Sequence, residues 1–276
     1  MIWRHIWALG VALGCGLPAL AQDRPLEILE TSFQAQGWEA VGRIDIGRTG
    51  FCTGALISER LVLTAAHCLF ERESGVRLPD EQILFRAGFR NGRAAAEGQV
   101  YRSVVHPQYS PLGGVGMDNV SHDLALLELL HPIRNMGVVP FDVFSEPRGG
   151  DMVGVVSYGR DRLEAPALQE SCQVLERDRT GVLMMSCSVD FGSSGAPVFA
   201  MSHGRPHIVS VVSAKATSHV QGQLSDVSLG VSLGAQLDTL RAALDRRDQR
   251  FIQPPRHDTG EPRVMSSGGG ARFMRP

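Results

Sequence analysis

The hexapeptide Gly-Ser-Ser-Gly-Ala-Pro at residues 192–197 places two serines between glycines, a setting suited to a nucleophile. Glycines beside a reactive serine let the backbone turn sharply and aim successive N–H groups at one point, which is how an oxyanion hole is built. A serine hydroxyl is a poor nucleophile at neutral pH. Acyl transfer therefore needs an imidazole to take its proton and a buried carboxylate to orient that imidazole.

Two upstream segments supply one candidate for each of these roles. Leu-Thr-Ala-Ala-His-Cys at residues 63–68 ends a short apolar run at His67, and His-Asp-Leu-Ala-Leu-Leu at residues 122–127 opens another with Asp123. A carboxylate at the start of a buried strand can hydrogen-bond an imidazole and stabilise the cation that forms during attack. Asp118 is a rival acid, but it follows a glycine-rich stretch and is better explained as a turn residue. We expect His67 as the general base and Asp123 as its orienting carboxylate.

The order His, Asp, Ser and the sequences around these residues resemble the chymotrypsin/trypsin-like serine peptidases over about residues 38–244. The Thr-Ala-Ala-His-Cys motif is highly specific for that family. Alignment on Gly-x-Ser-Gly-x-Pro selects Ser194 as the nucleophile over its neighbour Ser193, with the amides of Gly192 and Ser194 as the oxyanion-hole donors. The pattern is most similar to secreted bacterial members of the glutamyl-endopeptidase-like branch.

Short β-rich runs separated by Gly, Pro and charged turns predict an all-β chain, in the form of barrels or a sandwich. The resemblance implies two packed six-stranded antiparallel β-barrels, at about residues 38–140 and 150–235. Leucines at helical spacing predict a C-terminal α-helix at about residues 233–248. The predicted strands are residues 40–46, 52–57, 61–64, 83–89, 101–105 and 124–129, followed by 152–158, 169–175, 182–186, 196–200, 207–213 and 228–233.

The two ends of the chain differ in composition from the part between them. Residues 1–21 are typical of a signal peptide with cleavage after Ala21, which predicts a secreted or periplasmic protein. Residues 22–252 then form the peptidase domain, and residues 253–276, rich in Pro, Gly, Ser and Arg, predict a disordered tail. No later stretch approaches the roughly 20 apolar residues of a membrane span. We expect a monomer.

Removal of that signal leaves four cysteines, an even number in an oxidising compartment, and so predicts two disulfides. Of the three possible pairings, Cys52 with Cys68 and Cys172 with Cys187 are favoured because each closes a local loop. The first also matches the family's bridge beside the catalytic histidine.

The chain departs from the animal digestive members of the family at the position before the nucleophile. Those enzymes carry an acidic residue there, which pairs with a new N-terminus released by cleavage. This chain has Ser193 instead, and it lacks the Ile-Val-Gly-Gly start ahead of Trp38. We therefore predict that no activation cleavage between Gln22 and Trp38 is needed.

The residues expected around the substrate pocket do not indicate a tryptic preference. Ser188 stands where tryptic enzymes carry an acid, and Ser213 lines the cleft by resemblance. Asp190 would receive a basic side chain and Lys215 an acidic one, unless both charges face solvent. The histidine of the glutamyl-specific branch corresponds to Val212, so the sequence does not support glutamyl specificity either.

The leading hypothesis is a secreted serine endopeptidase that hydrolyses protein or peptide substrates through an acyl-enzyme. We expect no metal or organic cofactor, because HExxH, clustered Cys/His and phosphate-binding glycine motifs are absent. The net charge of −2 and the scattered basic residues argue against nucleic acid as a partner. The alternatives are a catalytically idle peptidase-like binding protein and an esterase that uses the same triad.

Overall fold

The computed structural model describes residues 24–47, 50–144, 147–220 and 223–245. The predicted signal peptide and the predicted disordered tail lie outside these ranges. Two α-helices occupy the described residues, α1 (Met117–Ser121) and α2 (Gly234–Asp245). The strands in chain order are β1 (Glu27–Ile28), β2 (Val41–Ile46), β3 (Gly50–Leu56), β4 (Leu61–Thr64), β5 (Ile83–Ala87), β6 (Ala96–Val105), β7 (Ala125–Leu129), β8 (Met152–Gly159), β9 (Arg162–Arg177), β10 (Leu183–Met185), β11 (Pro197–Ser202), β12 (Arg205–Val220) and β13 (Gln223–Ser232).

The N-terminal half forms a closed antiparallel barrel in the order β2-β3-β4-β7-β6-β5. Apolar side chains alternate inward along its strands, as Ile83, Phe85 and Ala87 do on β5, where all three are fully buried. The strands lie where short β-rich runs between turn residues predicted them. Their closure into a barrel agrees with what the family resemblance implied.

The C-terminal half forms a second antiparallel ring in the order β8-β9-β10-β13-β12-β11, which closes because β8 pairs with both β9 and β11. The short strand β1 joins this ring beside β9, with Glu27 opposite Leu168. Two six-stranded antiparallel barrels followed by a C-terminal helix confirm the expected fold class. Neither described helix has the length and apolar character needed to cross a membrane.

The strands β6, β9 and β12 are longer than the sequence predicted. The outer part of β12 pairs with β13 from Ala214 to Val220 through alternating exposed positions. One face of this ribbon carries half-buried side chains, those of Ala214, Ala216, Ser218 and Val220. These mostly small side chains give an apolar alternation too weak to predict a strand. The elements β1 and α1 were also missed, since two and five residues are too short to show a period.

One buried apolar cluster runs from the first barrel into the second. At the junction, the ring of Phe199 in β11 lies 4.9 Å from that of Trp38 and 4.7 Å from that of Phe141. The helix α2 buries Leu237 and Leu240 against the β6 and β7 side of the first barrel. The two barrels therefore share a core at their junction.

Two disulfides occur in the structure, Cys52–Cys68 and Cys172–Cys187. They are the pairings that the sequence favoured. The first ties β3 to the turn after β4, and the second ties β9 to the segment that leads to the 192–197 hexapeptide. Loops of 16 and 15 residues correspond to about 3 kcal/mol each in a loop-entropy model.

Candidate active site

His67 lies in a single 3-10 turn, Ala66–Leu69, directly after β4. The turn is fixed on both sides of the histidine, because Ala66 is fully buried and Cys68 is held by its disulfide. The imidazole itself stays 30 % exposed and faces the cleft between the barrels. A rigid turn thus presents a partly open imidazole.

Asp123 lies between α1 and β7 and is only 3 % exposed. Its carboxylate accepts a hydrogen bond from the His67 amide at 2.8 Å and lies 2.7 Å from His67 Nδ1. The hydroxyl of Ser213, in β12, donates to the same oxygen that faces the imidazole. This buried carboxylate is therefore fully engaged, and it fixes the imidazole with its Nε2 edge directed away from Asp123.

The electrostatic surroundings of His67 act in opposite directions on its pKa. Burial lowers the pKa, whereas the charge and the hydrogen bond of Asp123 raise it, and the guanidinium of Arg72 lowers it. The carboxylate prevails, so the pKa of His67 lies above its ordinary value of 6.5.

Ser194 lies in the loop between β10 and β11, where two glycines adopt left-handed backbone angles. The angle φ is +98° at Gly192 and +78° at Gly195. A Cβ at Gly192 would run into the ring of Phe51, and one at Gly195 would run into the side chain of Thr64. Only glycine satisfies both the backbone angle and the close approach at these two positions.

The loop is docked on the first barrel by Thr53, a fully buried residue of β3. The Thr53 amide donates to the carbonyl of Ser194 at 2.9 Å, and its hydroxyl donates to the carbonyl of Gly192 at 2.7 Å. The same hydroxyl accepts the amide of Tyr158 at 3.1 Å. The sequence analysis missed Thr53; a buried threonine within an apolar strand was the available signal.

The backbone amides of the loop fall into two groups. The amides of Ser193 and Gly195 donate to carbonyls of the loop and of β12. Those of Gly192 and Ser194 donate to no other residue in the described part of the chain. These two are the pair expected as oxyanion-hole donors, and they are available to a ligand.

The structure separates the two neighbouring serines. The Ser193 side chain is fully buried, and its hydroxyl contacts the Tyr158 carbonyl and the Arg162 guanidinium. Ser194 lines the same cleft as His67. No hydrogen bond joins Ser194 to His67 among the described contacts, and in unliganded sites this bond is often long until substrate binds.

The cleft at Ser194 encloses about 680 Å³ and is lined by both barrels. Of the expected pocket residues, Asp190, Ser213 and Lys215 line it. Ser188 does not line the cleft; it is solvent-exposed, and its amide donates to the Gln169 side chain of β9. The sequence analysis missed several lining residues, which come from loops without a recognisable motif: Arg72, Tyr109, Leu112, Val115 and Phe191.

Both charges expected in the pocket have partners. The Asp190 carboxylate accepts the amide of Phe191 at 2.7 Å. The Lys215 ammonium lies 2.9 Å from Asp226 across the β12–β13 ribbon, and that hydrogen bond raises the pKa of Lys215. Neither charge stands alone at the cleft wall.

The rival candidates take structural roles. The Asp118 carbonyl lies 2.8 Å from Nδ1 of His122, and the described contacts do not join Asp118 to His67. His106 is buried and stacks on His122 at 4.7 Å, and burial together with His122 lowers the pKa of His106 to about 4. The thiol positions nearest His67 belong to the Cys52–Cys68 disulfide and are not free to bind a metal.

Comparison with known proteins places this geometry in a wider context. The chain is 28 % identical over 157 residues to a glutamyl endopeptidase of Bacillus licheniformis, which covers 56 % of this chain and 47 % of the relative. It is 36 % identical over 139 residues to a trypsin of Phaedon cochleariae, covering 48 % of each chain. The chain thus spans about half the length of these curated relatives.

Solved structures show the same fold. A Glu endopeptidase in complex with MPD aligns over 81 % of this chain and 98 % of its own, with a TM-score of 0.61 and 17 % identity. A thermostable serine protease, AL20, aligns over 75 % and 98 % of the two chains, with a TM-score of 0.58 and 18 % identity. The family model described as trypsin-like peptidase domain matches residues 52–207, more than half of the sequence. The resemblance inferred from the sequence is thereby confirmed, and the chain belongs to the trypsin-like peptidase domain family.

Proposed function

We propose that this chain is a secreted or periplasmic serine endopeptidase that cleaves protein or peptide substrates with His67, Asp123 and Ser194. One observation carries the proposal: the buried Asp123–His67 pair opens onto the same interbarrel cleft as Ser194. The two disulfides agree with an oxidising compartment and with removal of a signal peptide.

The proposed reaction is acyl transfer to Ser194 followed by hydrolysis. His67 Nε2 takes the proton of the Ser194 hydroxyl as its oxygen attacks the peptide carbonyl, and Asp123 stabilises the resulting imidazolium. The amides of Gly192 and Ser194 bind the oxyanion. The imidazolium then gives its proton to the leaving amine, and an acyl-enzyme remains on Ser194. Water, deprotonated by His67, hydrolyses that ester and restores the hydroxyl.

The N-terminal segment supports a site that needs no activation cleavage. The amide of Arg24 donates to the Ser171 carbonyl, and the Gln169 side chain donates to the Arg24 carbonyl at 3.0 Å. Residues 24–29 therefore lie along β9, on the second barrel. The Ser194 loop is hydrogen-bonded to Thr53 of the first barrel and to Arg162 of the second. We infer that the chain folds directly into its active shape.

The test is labelling of the mature protein with a fluorophosphonate probe, which reacts only with an activated serine. We expect wild type to be labelled without prior proteolysis and Ser194→Ala to be unlabelled. Ser202→Ala, which removes a hydroxyl at the end of β11, is the matched control and keeps wild-type labelling. An unlabelled wild type would contradict the proposal and favour the catalytically idle binding protein.

A second assay separates peptidase from esterase. We expect the labelled protein to cleave an unfolded protein substrate as well as a small acyl ester, because the cleft is open and both barrels line it. Hydrolysis of the ester alone would favour the esterase alternative.

A further inference from the structure

We propose that Arg162 is a positioning residue, which holds the Ser194 loop in its reactive shape from inside the second barrel. Arg162 begins β9, directly after the turn that follows β8. Its side chain is 4 % exposed, although a guanidinium is normally found at the surface. The kinetic part of the test below rests on the proposed function; the structural part does not.

The guanidinium contacts the residue between the two candidate oxyanion donors. Nη2 of Arg162 donates to the Ser193 hydroxyl at 3.1 Å and to the Ser157 hydroxyl at 3.2 Å. Ser193 lies between Gly192 and Ser194 in the chain, so a shift of Ser193 moves the peptide planes that carry both free amides. The hydroxyl of Ser193 also accepts the Asp190 amide at 3.2 Å, which closes the loop on itself.

Gly159 leaves space in the second barrel for this guanidinium. Gly159 pairs with Arg162 across the β8–β9 hairpin, and a Cβ at Gly159 would lie 2.6 Å from the guanidinium carbon. The Cα of Gly159 would in turn lie 3.2 Å from a Cβ at Gly192. The absence of a side chain at Gly159 therefore lets the guanidinium and the loop approach the same stretch of the hairpin.

The surroundings of Arg162 point to positioning rather than to general stability. Its anionic neighbour, Asp161 at 2.7 Å, is 71 % exposed, and ion pairs of that kind contribute little to stability. Its other donors go to neutral oxygens of Ser157 and Ser193. A buried cation with so weak a counter-charge is costly compared with an apolar side chain of similar size. In this position the guanidinium instead makes a directed hydrogen bond to the Ser194 loop.

The first experiment compares Arg162→Met with Arg77→Met. Arg77 is the matched control, because its side chain is 6 % exposed and its guanidinium also contacts a serine hydroxyl, that of Ser103, in the first barrel. We expect Arg162→Met to keep wild-type thermal stability, because methionine is an apolar side chain of similar size. Arg77→Met loses stability, because it leaves Asp80 without its cation. Arg162→Met lowers kcat by about 10- to 100-fold with KM nearly unchanged, because oxyanion stabilisation acts on the transition state. Arg77→Met keeps kcat within about twofold of wild type.

Two rescue experiments measure the recovery of kcat, which a residue with a merely structural role would not show. One uses a conservative substitution and the other a small guanidinium compound. Arg162→Lys recovers part of the lost kcat, since an ammonium can still donate to the Ser193 hydroxyl. In Arg162→Ala, millimolar methylguanidine raises kcat again, although guanidinium compounds weaken a fold rather than strengthen it. Wild-type kcat in a folded Arg162→Met variant, or no rescue by methylguanidine, would overturn the proposal.

A measurement without catalysis separates this proposal from the proposed function. In a Ser194→Ala background, Arg162→Met increases amide hydrogen exchange in residues 188–196, whereas Arg77→Met does not. This result would support the positioning role even in a protein that a fluorophosphonate probe does not label. Equal exchange in the two variants would contradict it. If Arg162→Met does not fold, Ser193→Ala removes the same contact from the other side and should give the same kcat loss and the same increase in exchange.

Discussion

The two barrels contribute opposite halves of the candidate site and hold them in different ways. The first barrel holds His67 with the disulfide at Cys68 and with the buried carboxylate of Asp123, which accepts the His67 amide; both residues lie in recognisable motifs. The second barrel holds Ser194 in a loop whose supports, Thr53 and Arg162, lie in no recognised motif. The base is therefore fixed by residues of the sequence motifs, whereas the nucleophile is also fixed by residues whose contacts only the fold reveals.

The largest loss of kcat is expected when Asp123, the carboxylate that orients His67, is replaced. Asp123→Asn keeps the shape but cannot hold the imidazole in the required tautomer, so kcat should fall by about 10⁴-fold. The Ser213→Ala variant removes only one donor to Asp123 and should cost far less. Steady-state kinetics on a peptide substrate measures both, and a loss below tenfold in Asp123→Asn would show that another acid orients His67.

Removing each disulfide in turn tests whether the surroundings of His67 and those of Ser194 depend equally on a covalent link. Replacing either pair by serines should lower the free energy of unfolding by about 3 kcal/mol. The Cys52–Cys68 pair flanks both His67 and Thr53, so its loss should lower kcat/KM more than the loss of Cys172–Cys187 does. Denaturant unfolding and kinetics on both double variants give the comparison, and equal kinetic effects would remove the distinction.

The next largest effect is expected when Thr53, which hydrogen-bonds the Ser194 loop to the first barrel, is replaced. Thr53→Val keeps the shape and the amide, but it leaves the Gly192 carbonyl and the Tyr158 amide without their buried partner. We expect a loss of about 1 to 3 kcal/mol in stability, together with a lower kcat. The control is Thr239→Val in α2, where the hydroxyl of this half-buried residue donates to the Ala235 carbonyl. Wild-type kcat in Thr53→Val would show that the loop does not need the first barrel.

The smallest effect is a shift of the pH profile. His67 accepts a proton only when neutral, and its pKa lies above 6.5, so kcat/KM should fall on acidification with a midpoint above pH 6.5. The positive charge of Arg72 lowers this pKa, and Arg72→Gln should therefore move the midpoint to higher pH. Arg134→Gln, an exposed arginine paired with Glu59, should leave the midpoint unchanged. A downward shift in Arg72→Gln would reverse the assigned electrostatics.

The sequence predicted the surroundings of His67 more fully than those of Ser194, and the reason is physical. Short β-rich runs bounded by turn residues predicted twelve strands near their observed places, and local motifs singled out His67 and Asp123. The role of Thr53 depends on how the barrels dock, and the burial of Arg162 depends on how the β8–β9 hairpin closes. Both depend on how elements pack against each other, and neither leaves a period or a motif in the chain.

The ends of the described chain cross over between the barrels. The strand β1 precedes the first barrel yet pairs with β9 of the second, whereas α2 follows the second barrel and packs on β6 and β7 of the first. Each barrel is thus completed by a segment attached to the other. Separating the barrels would require both segments to detach. The cleft should therefore open and close only through small adjustments of its loops. Unfolding should occur as one cooperative event.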